Sequence, residues 1–233
     1  MANHVLLNNV EHKNLKIRQV HGEKYNEDQM CVPVFPAEMR LAQAHYPLMF
    51  AKDKEGNYQM VALLGFEQGE NLFLNGDEWM ASYKPLVIEK GPFLIGRNDQ
   101  QPDQLSIHID MDDDRVNEQD GESVFLPHGG TTEYTDNISN VLSALHEGQQ
   151  AHQTFIEKCE SLSLIEPFVL DIDMEDSGTH RLAGFFTINE DTFANLTNDQ
   201  IVDLRNADCL ESVYMMLASL SQLSSLIRKK KAV

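Results

Sequence analysis

YPLMFAKDKEGNYQMVALLGF, residues 46–66, is the stretch that decides the fold. Two apolar runs, 46–51 and 58–66, flank the polar segment Asp53-Lys54-Glu55-Gly56-Asn57. Gly and Asn tolerate a positive φ, so a short polar segment holding both between strand-sized apolar runs predicts a β-hairpin. A strand with one wet face alternates apolar and polar residues. Residues 60–65 (MVALLG) do not alternate, which predicts a strand covered on both sides.

Working downstream, Asn71-Leu72-Phe73-Leu74 leads to a turn at Asn75-Gly76-Asp77 and to Trp79, the only tryptophan. Pro85-Leu86-Val87-Ile88 and Phe93-Leu94-Ile95-Gly96 follow as further strand-sized runs, predicting a meander. Trp79 has two readings. It anchors a core, as large aromatic side chains usually do. Alternatively Trp79, Tyr83 and Phe93, with Pro85 between them, line a groove for a peptide or an aromatic ligand.

Upstream, residues 1–30 are polar and read as an arm or an edge element. Val32-Pro33-Val34-Phe35-Pro36 is extended, because proline disfavours helix in the residue before it. Pro36 then suits the first position of a short helix over 37–44. Beyond the meander, 98–104 reads as a loop. Residues 105–111 alternate, with Leu105, Ile107, Ile109 and Met111 on one face and Ser106, His108, Asp110 and Asp112 on the other. Val124-Phe125-Leu126 adds a short strand.

From Asn137 to about Leu162 the period becomes helical, with a stripe from Ile138 and Leu142 to Phe155 and Cys159. Thr135 or Asp136 is positioned to cap its start. Gly148 inside that helix predicts a kink or a close approach by another element. A second hairpin is predicted from 168–173 and 182–188 across a turn at 175–178, echoing the first. Asn189 caps a short turn, and Thr197 with Gln200 forms a capping box for a helix over 198–206. A last helix runs from about 208 to 228, with basic residues at its end that complement its dipole. The fold class is therefore α+β: a single domain, its sheet mostly antiparallel, with a long helix in the middle and a C-terminal helical region packed on it. Residues 1–30 form the arm, 31–228 the domain and 229–233 a basic tail.

The chain has 233 residues, and its formal net charge of −19 disfavours binding to nucleic acid. The one basic cluster is Arg228-Lys229-Lys230-Lys231. Cys31, Cys159 and Cys209 have no zinc spacing and read as buried free thiols in a reducing compartment. No run approaches the ~20 apolar residues that span a bilayer. The N-terminal residues lack the pattern of a secretory signal, so the expected location is cytoplasmic.

Tests for chemistry leave one candidate. His108-Ile109-Asp110 places an imidazole and a carboxylate on one strand face. With His146, His152 or His180 these would complete a two-histidine, one-carboxylate site for Fe(II) or another divalent metal. The competing reading is a solvated polar face without a cofactor. Asp110–Asp114 starts like a calcium loop, but Arg115 stands where glycine is needed and Gly121 where glutamate is needed. The chain carries no phosphate-binding loop, no nucleophile elbow and no HExxH.

Several segments together resemble one family. They are 46–50, Gly56-x-Tyr58, Val61-Ala62-Leu63-Leu64-Gly65-Phe66, Asn71-Leu72-Phe73, Trp79-x3-Tyr83-x-Pro85, Pro92-Phe93, Ile109-Asp110 and Gly121-Glu122-x-Val124-Phe125. The C-terminal matches are 183–190, Leu196, Leu204, 210–214 and Ser219-Leu220-Ser221-Gln222. In this order and spacing they resemble the bacterial SapC family over roughly residues 30–227. The resemblance implies an accessory or binding protein rather than an enzyme with known catalytic residues. It implies work on a peptide, modified amino acid or surface polymer, beside a flavin-dependent halogenase-like protein or an outer-membrane receptor. A surface-layer component is the alternative that the family's name implies.

Overall fold

The structure is a computed structural model that describes residues 3–98, 101–174 and 178–232, with backbone alone at 97–98, 101–104, 173–174 and 178–180. In chain order the strands and helices begin with β1 (His4–Leu6), β2 (Lys16–Ile17), β3 (Cys31–Pro33), α1 (Met39–Ala42), β4 (Leu48–Lys52) and β5 (Tyr58–Leu63). Next are β6 (Leu74–Asn75), β7 (Glu78–Trp79), α2 (Leu86–Glu89), β8 (Phe93–Asn98), β9 (Gln101–Asp110), β10 (Val116–Asn117) and β11 (Glu122–Ser123). The rest are α3 (Glu133–Ser161), β12 (Ile165–Met174), β13 (Gly178–Ile188), α4 (Glu190–Ala194), α5 (Asn198–Asn206), α6 (Leu210–Ser219) and α7 (Leu223–Lys231). The expected α+β class, antiparallel pairing, long middle helix and C-terminal helical region all hold.

The chain divides into two compact units. The first comprises Met1–Glu27, Gly76–Glu78 and Leu86–Glu147; the second comprises Asp28–Asn75, Trp79–Pro85 and Gly148–Val233. In the first unit β1, β9 and β8 form one antiparallel sheet, with β1 on its edge, while β10 and β11 both pair with β2. In the polar N-terminal segment β1 is thus an edge strand, β2 lies between β10 and β11, and Leu15 and Ile17 join the core. The alternation at 105–111 decides which face of β9 points inward. Ile107 and Ile109 join Phe93, Val124, Ile138 and Leu142 in one apolar cluster.

In the second unit the hairpin of residues 46–66 sits inside a five-stranded sheet of order β12-β13-β4-β5-β3. Leu48, Met49 and Phe50 are all sealed from solvent, as are Met60 to Leu64, so both faces of β4 and β5 are covered. The later part of α3 packs there, with the Phe155 ring stacked 6.0 Å from Phe50. Helix α6 contributes Ser219, whose hydroxyl accepts the Leu48 N–H at 2.8 Å. The two echoing hairpins are sheet neighbours, joined where Phe186 of β13 opposes Phe50 of β4.

Four local expectations are corrected. Residues 86–89 form a helical turn, not a strand. The Lys90 N–H bonds back to the Leu86 carbonyl, and Gly91, at φ 53°, ends the turn in the left-handed conformation. Helix α3 starts earlier than expected. Its first N–H groups are served by Thr132, whose hydroxyl accepts from the Thr135 N–H at 3.3 Å. Strand β9 begins at Gln101, inside the segment read as a loop; the rest of that loop, 99–100, and residues 175–177 of the second turn lie outside the described residues. The last helix is broken by a 3-10 turn at Leu220–Gln222. The capping box of Thr197 with Gln200 and the Asn189 cap form as expected.

Candidate functional site

The site grows from a short polar turn. Phe35 is extended, and Pro36 fixes the φ that starts the 3-10 turn Pro36–Glu38. The Glu38 side chain reaches back so that Oε1 accepts the Phe35 N–H at 3.0 Å. This is a capping-box contact, and it places a carboxylate where only 2% of the residue is exposed. Its Oε2 accepts the Tyr83 hydroxyl at 2.8 Å. A buried carboxylate is costly unless it is hydrogen-bonded, so Tyr83 is strongly held.

Tyr83 hands the arrangement on. Its backbone carbonyl accepts the hydroxyl of Tyr46, a side chain sealed from solvent just before β4. The Tyr46 oxygen in turn accepts the Trp79 indole N–H at 2.9 Å. Burial raises the Tyr46 pKa, the Trp79 bond opposes that rise and the Glu38 charge adds to it, so the phenol stays protonated and able to donate. Trp79 reaches this position through the β6–β7 hairpin, whose turn contains Gly76 at φ 59°. Its ring stacks on Phe73, with centroids 6.3 Å apart and planes at 14°. Phe73 is buried, meets the Tyr46 ring edge-on and lies under the Lys229 ammonium, 4.8 Å from its centroid.

Trp79 and Tyr83 are therefore half-buried rings on a fixed support. Each retains some solvent-reachable surface, with Met80 and Ser82 exposed between them. Such a surface suits stacking against a flat or extended ligand. Ser82 Oγ lies 3.1 Å from His45 Nε2, but among the described residues no carboxylate orients that histidine, so a nucleophilic dyad is incomplete.

The structure does not bring the third aromatic candidate to this surface. Phe93 belongs to the first unit, is 0% exposed and packs in that unit's core, with its ring edge against Tyr134. His108 and Asp110 do share one face of β9, as their spacing predicts. Asp110 opposes His4, whose Nε2 is 3.6 Å from its carboxylate. The His108 ring instead lies over Gly96, so close that a Cβ there would come within 2.4 Å of it, and its buried Nε2 has no hydrogen-bond partner among the described residues. Among the described residues no group of three or more His, Cys, Asp or Glu side chains is arranged to hold a metal. His146 is exposed on α3, His152 lies beside Phe35 in the second unit, and the His180 side chain is outside the described set.

Sequence reading missed two features. The first is a buried ion network in the first unit. Arg115 Nη1 bonds Glu27 Oε1 at 3.0 Å, and its Nη2 bonds Asp113 Oδ2 at 2.7 Å. Glu27 Oε2 lies 3.0 Å from His21 Nδ1 and accepts the Gly22 N–H. The guanidinium lies over the Tyr25 ring at 4.3 Å. Burial opposes the charge on Arg115, and the Asp113 and Glu27 carboxylates more than restore it, so its pKa is raised. Lys90, nearby, is pushed the other way by burial and by Arg115. Arg115 and Glu27 are 88 residues apart, and no local pattern announces such a pair. The second feature is the anchoring of the basic C-terminal run. Helix α7 continues through Lys231, and Lys230 pairs with both Glu67 and Glu70.

The family model described as SapC matches residues 7–226 of the chain. No curated protein and no solved structure matches it. Among the described residues no helix is long and apolar enough to cross a membrane.

Proposed function

The chain belongs to the SapC family, and on that premise we propose that it is a non-catalytic accessory protein that binds a partner through the surface around Trp79 and Tyr83. One observation carries this reading. Two part-exposed aromatic rings are fixed by a chain of hydrogen bonds that ends on a buried carboxylate, Glu38. Rigid aromatic groups give contact area at low entropic cost, which is why they dominate binding hot spots. The proposed ligand is a peptide, a modified amino acid or a surface polymer, presented with a halogenase-like or receptor partner, and the proposed location is the cytoplasm. Immobilised wild-type protein and a Trp79→Ala/Tyr83→Ala variant with an unchanged circular dichroism spectrum are compared in pull-downs from the native host. A partner retained by the first and lost from the second is expected. The same retained set on both overturns the proposal.

A second reading, a divalent metal bound by His108 and Asp110, draws support from their shared strand face and from His4 beside Asp110. Elemental analysis of protein purified without chelator tests it. Stoichiometric iron lost on His108→Ala favours this reading, and its absence removes it.

A further inference from the structure

In the first unit, Leu142 and Leu145 of α3 pack against the apolar face of β8 and β9. On the neighbouring stripe the helix carries Ser139 and Ser143, one turn apart, which are too short to cover Ile95 and Ile107. An open pocket of about 160 Å³ results, floored by Ile95, Ile107 and Leu142. Its rim holds the two serines, His146 and Glu147. Among the described residues none of these four side chains makes a hydrogen bond or an ion pair within the protein.

We propose that this pocket binds a small organic amine with an apolar body. The floor takes the hydrocarbon, since isoleucine and leucine offer only dispersion and desolvation. At the rim, hydroxyl and carboxylate oxygens accept hydrogen bonds, and among the described residues Glu147 is the one acidic group in the lining. A cationic ammonium complements that carboxylate, while among the described residues an anion would meet it with no Lys or Arg in the lining to compensate. The chain's net charge of −19 favours the same sign of ligand.

The test uses the full chain and three probes of one shape: 2-phenylethylamine, 3-phenylpropionate and 2-phenylethanol. Isothermal titration at neutral pH is expected to give saturable amine binding with a dissociation constant on the order of 1 mM or below. The acid is expected to bind more weakly than the alcohol, and the alcohol more weakly than the amine. Ser143→Phe fills the pocket and abolishes the signal; Ser139→Leu does the same if the first variant misfolds. Glu147→Gln weakens the amine by about threefold and leaves the alcohol unchanged. No saturation by the amine up to roughly 10 mM overturns the proposal. So does amine binding that survives both filling variants, or acid binding as tight as amine binding.

Discussion

Glu27 and Glu38 are two buried carboxylates, 3% and 2% exposed, that lead to opposite ends. Glu27 faces Arg115, His21 and the Gly22 N–H, and every one of those partners is itself buried or part of the backbone. Glu38 holds Tyr83 and, through its carbonyl and Tyr46, Trp79, so that its chain of bonds finishes on rings that solvent reaches. The first network holds a buried guanidinium and serves the fold of its unit. The second uses the same kind of buried charge to fix a surface. A buried acid is thus not in itself a sign of function; what it positions is.

The largest effect is expected in the Glu27 network. Arg115→Met leaves Glu27 and Asp113 without their guanidinium and is expected to cost about 3–5 kcal/mol in denaturant unfolding. Adding Glu27→Gln should return part of that loss. If the single variant loses less than about 1 kcal/mol, the network is not a structural one. In the open network, Glu38→Gln keeps the shape but cannot accept both the Phe35 N–H and the Tyr83 hydroxyl. It should cost about 1–3 kcal/mol.

A third variant presses on the support of Glu38 from beneath. A Cβ on Gly148 would lie 2.9 Å from the Cβ of Phe35, the residue whose N–H Glu38 accepts. Alanine gains about 1 kcal/mol of helix propensity there, but overpacking costs roughly 1–3 kcal/mol, so Gly148→Ala should lose about 1 kcal/mol net. A more stable variant would show that Phe35 can shift freely.

The smallest effect is a pH dependence at the same place. His152 lies 5.8 Å from the Phe35 ring. Burial lowers its pKa below 6.5, against the opposing pull of backbone groups at Tyr58 and Val34, and its Nδ1 has no hydrogen-bond partner among the described residues. The folded state therefore resists taking a proton that the unfolded chain accepts. Stability from this group is complete above pH 6.5, falls as the pH drops through that value, and levels off below the folded pKa. His152→Leu should flatten this part of the stability profile; an unchanged slope would remove His152 as its source.

How much of this was legible follows from the range of each signal. The hairpin at 46–66 could be read because uninterrupted burial writes an uninterrupted apolar run. Gly148 could be read because a glycine inside a strong helical stripe needs a reason, and Phe35 supplies it. Leu86–Glu89 departs from the strand reading because Leu86-Val87-Ile88, a short apolar run with two β-branched residues, has no period long enough to separate strand from helix. β1 and β2, of three and two residues, are too short to write a pattern into the polar segment that holds them. At the site, Trp79 and Tyr83 stood out as aromatic residues near a proline. Tyr46 and Glu38 did not, because their roles are set by partners 33 to 45 residues away. Phe93 looked like its neighbours in sequence but is a core residue, a distinction that composition does not carry.

Trp79 is the only tryptophan, so its indole N–H gives one isolated signal in a proton–nitrogen NMR spectrum. The most direct test is the position and solvent exchange of that signal in the wild type and in Glu38→Gln, a residue linked to Trp79 through Tyr46 and Tyr83. One sharp, slowly exchanging signal is expected in the wild type, and it moves and exchanges faster in the variant. A signal unmoved by Glu38→Gln, with unchanged exchange, would contradict the claim that the buried carboxylate holds the aromatic surface in place.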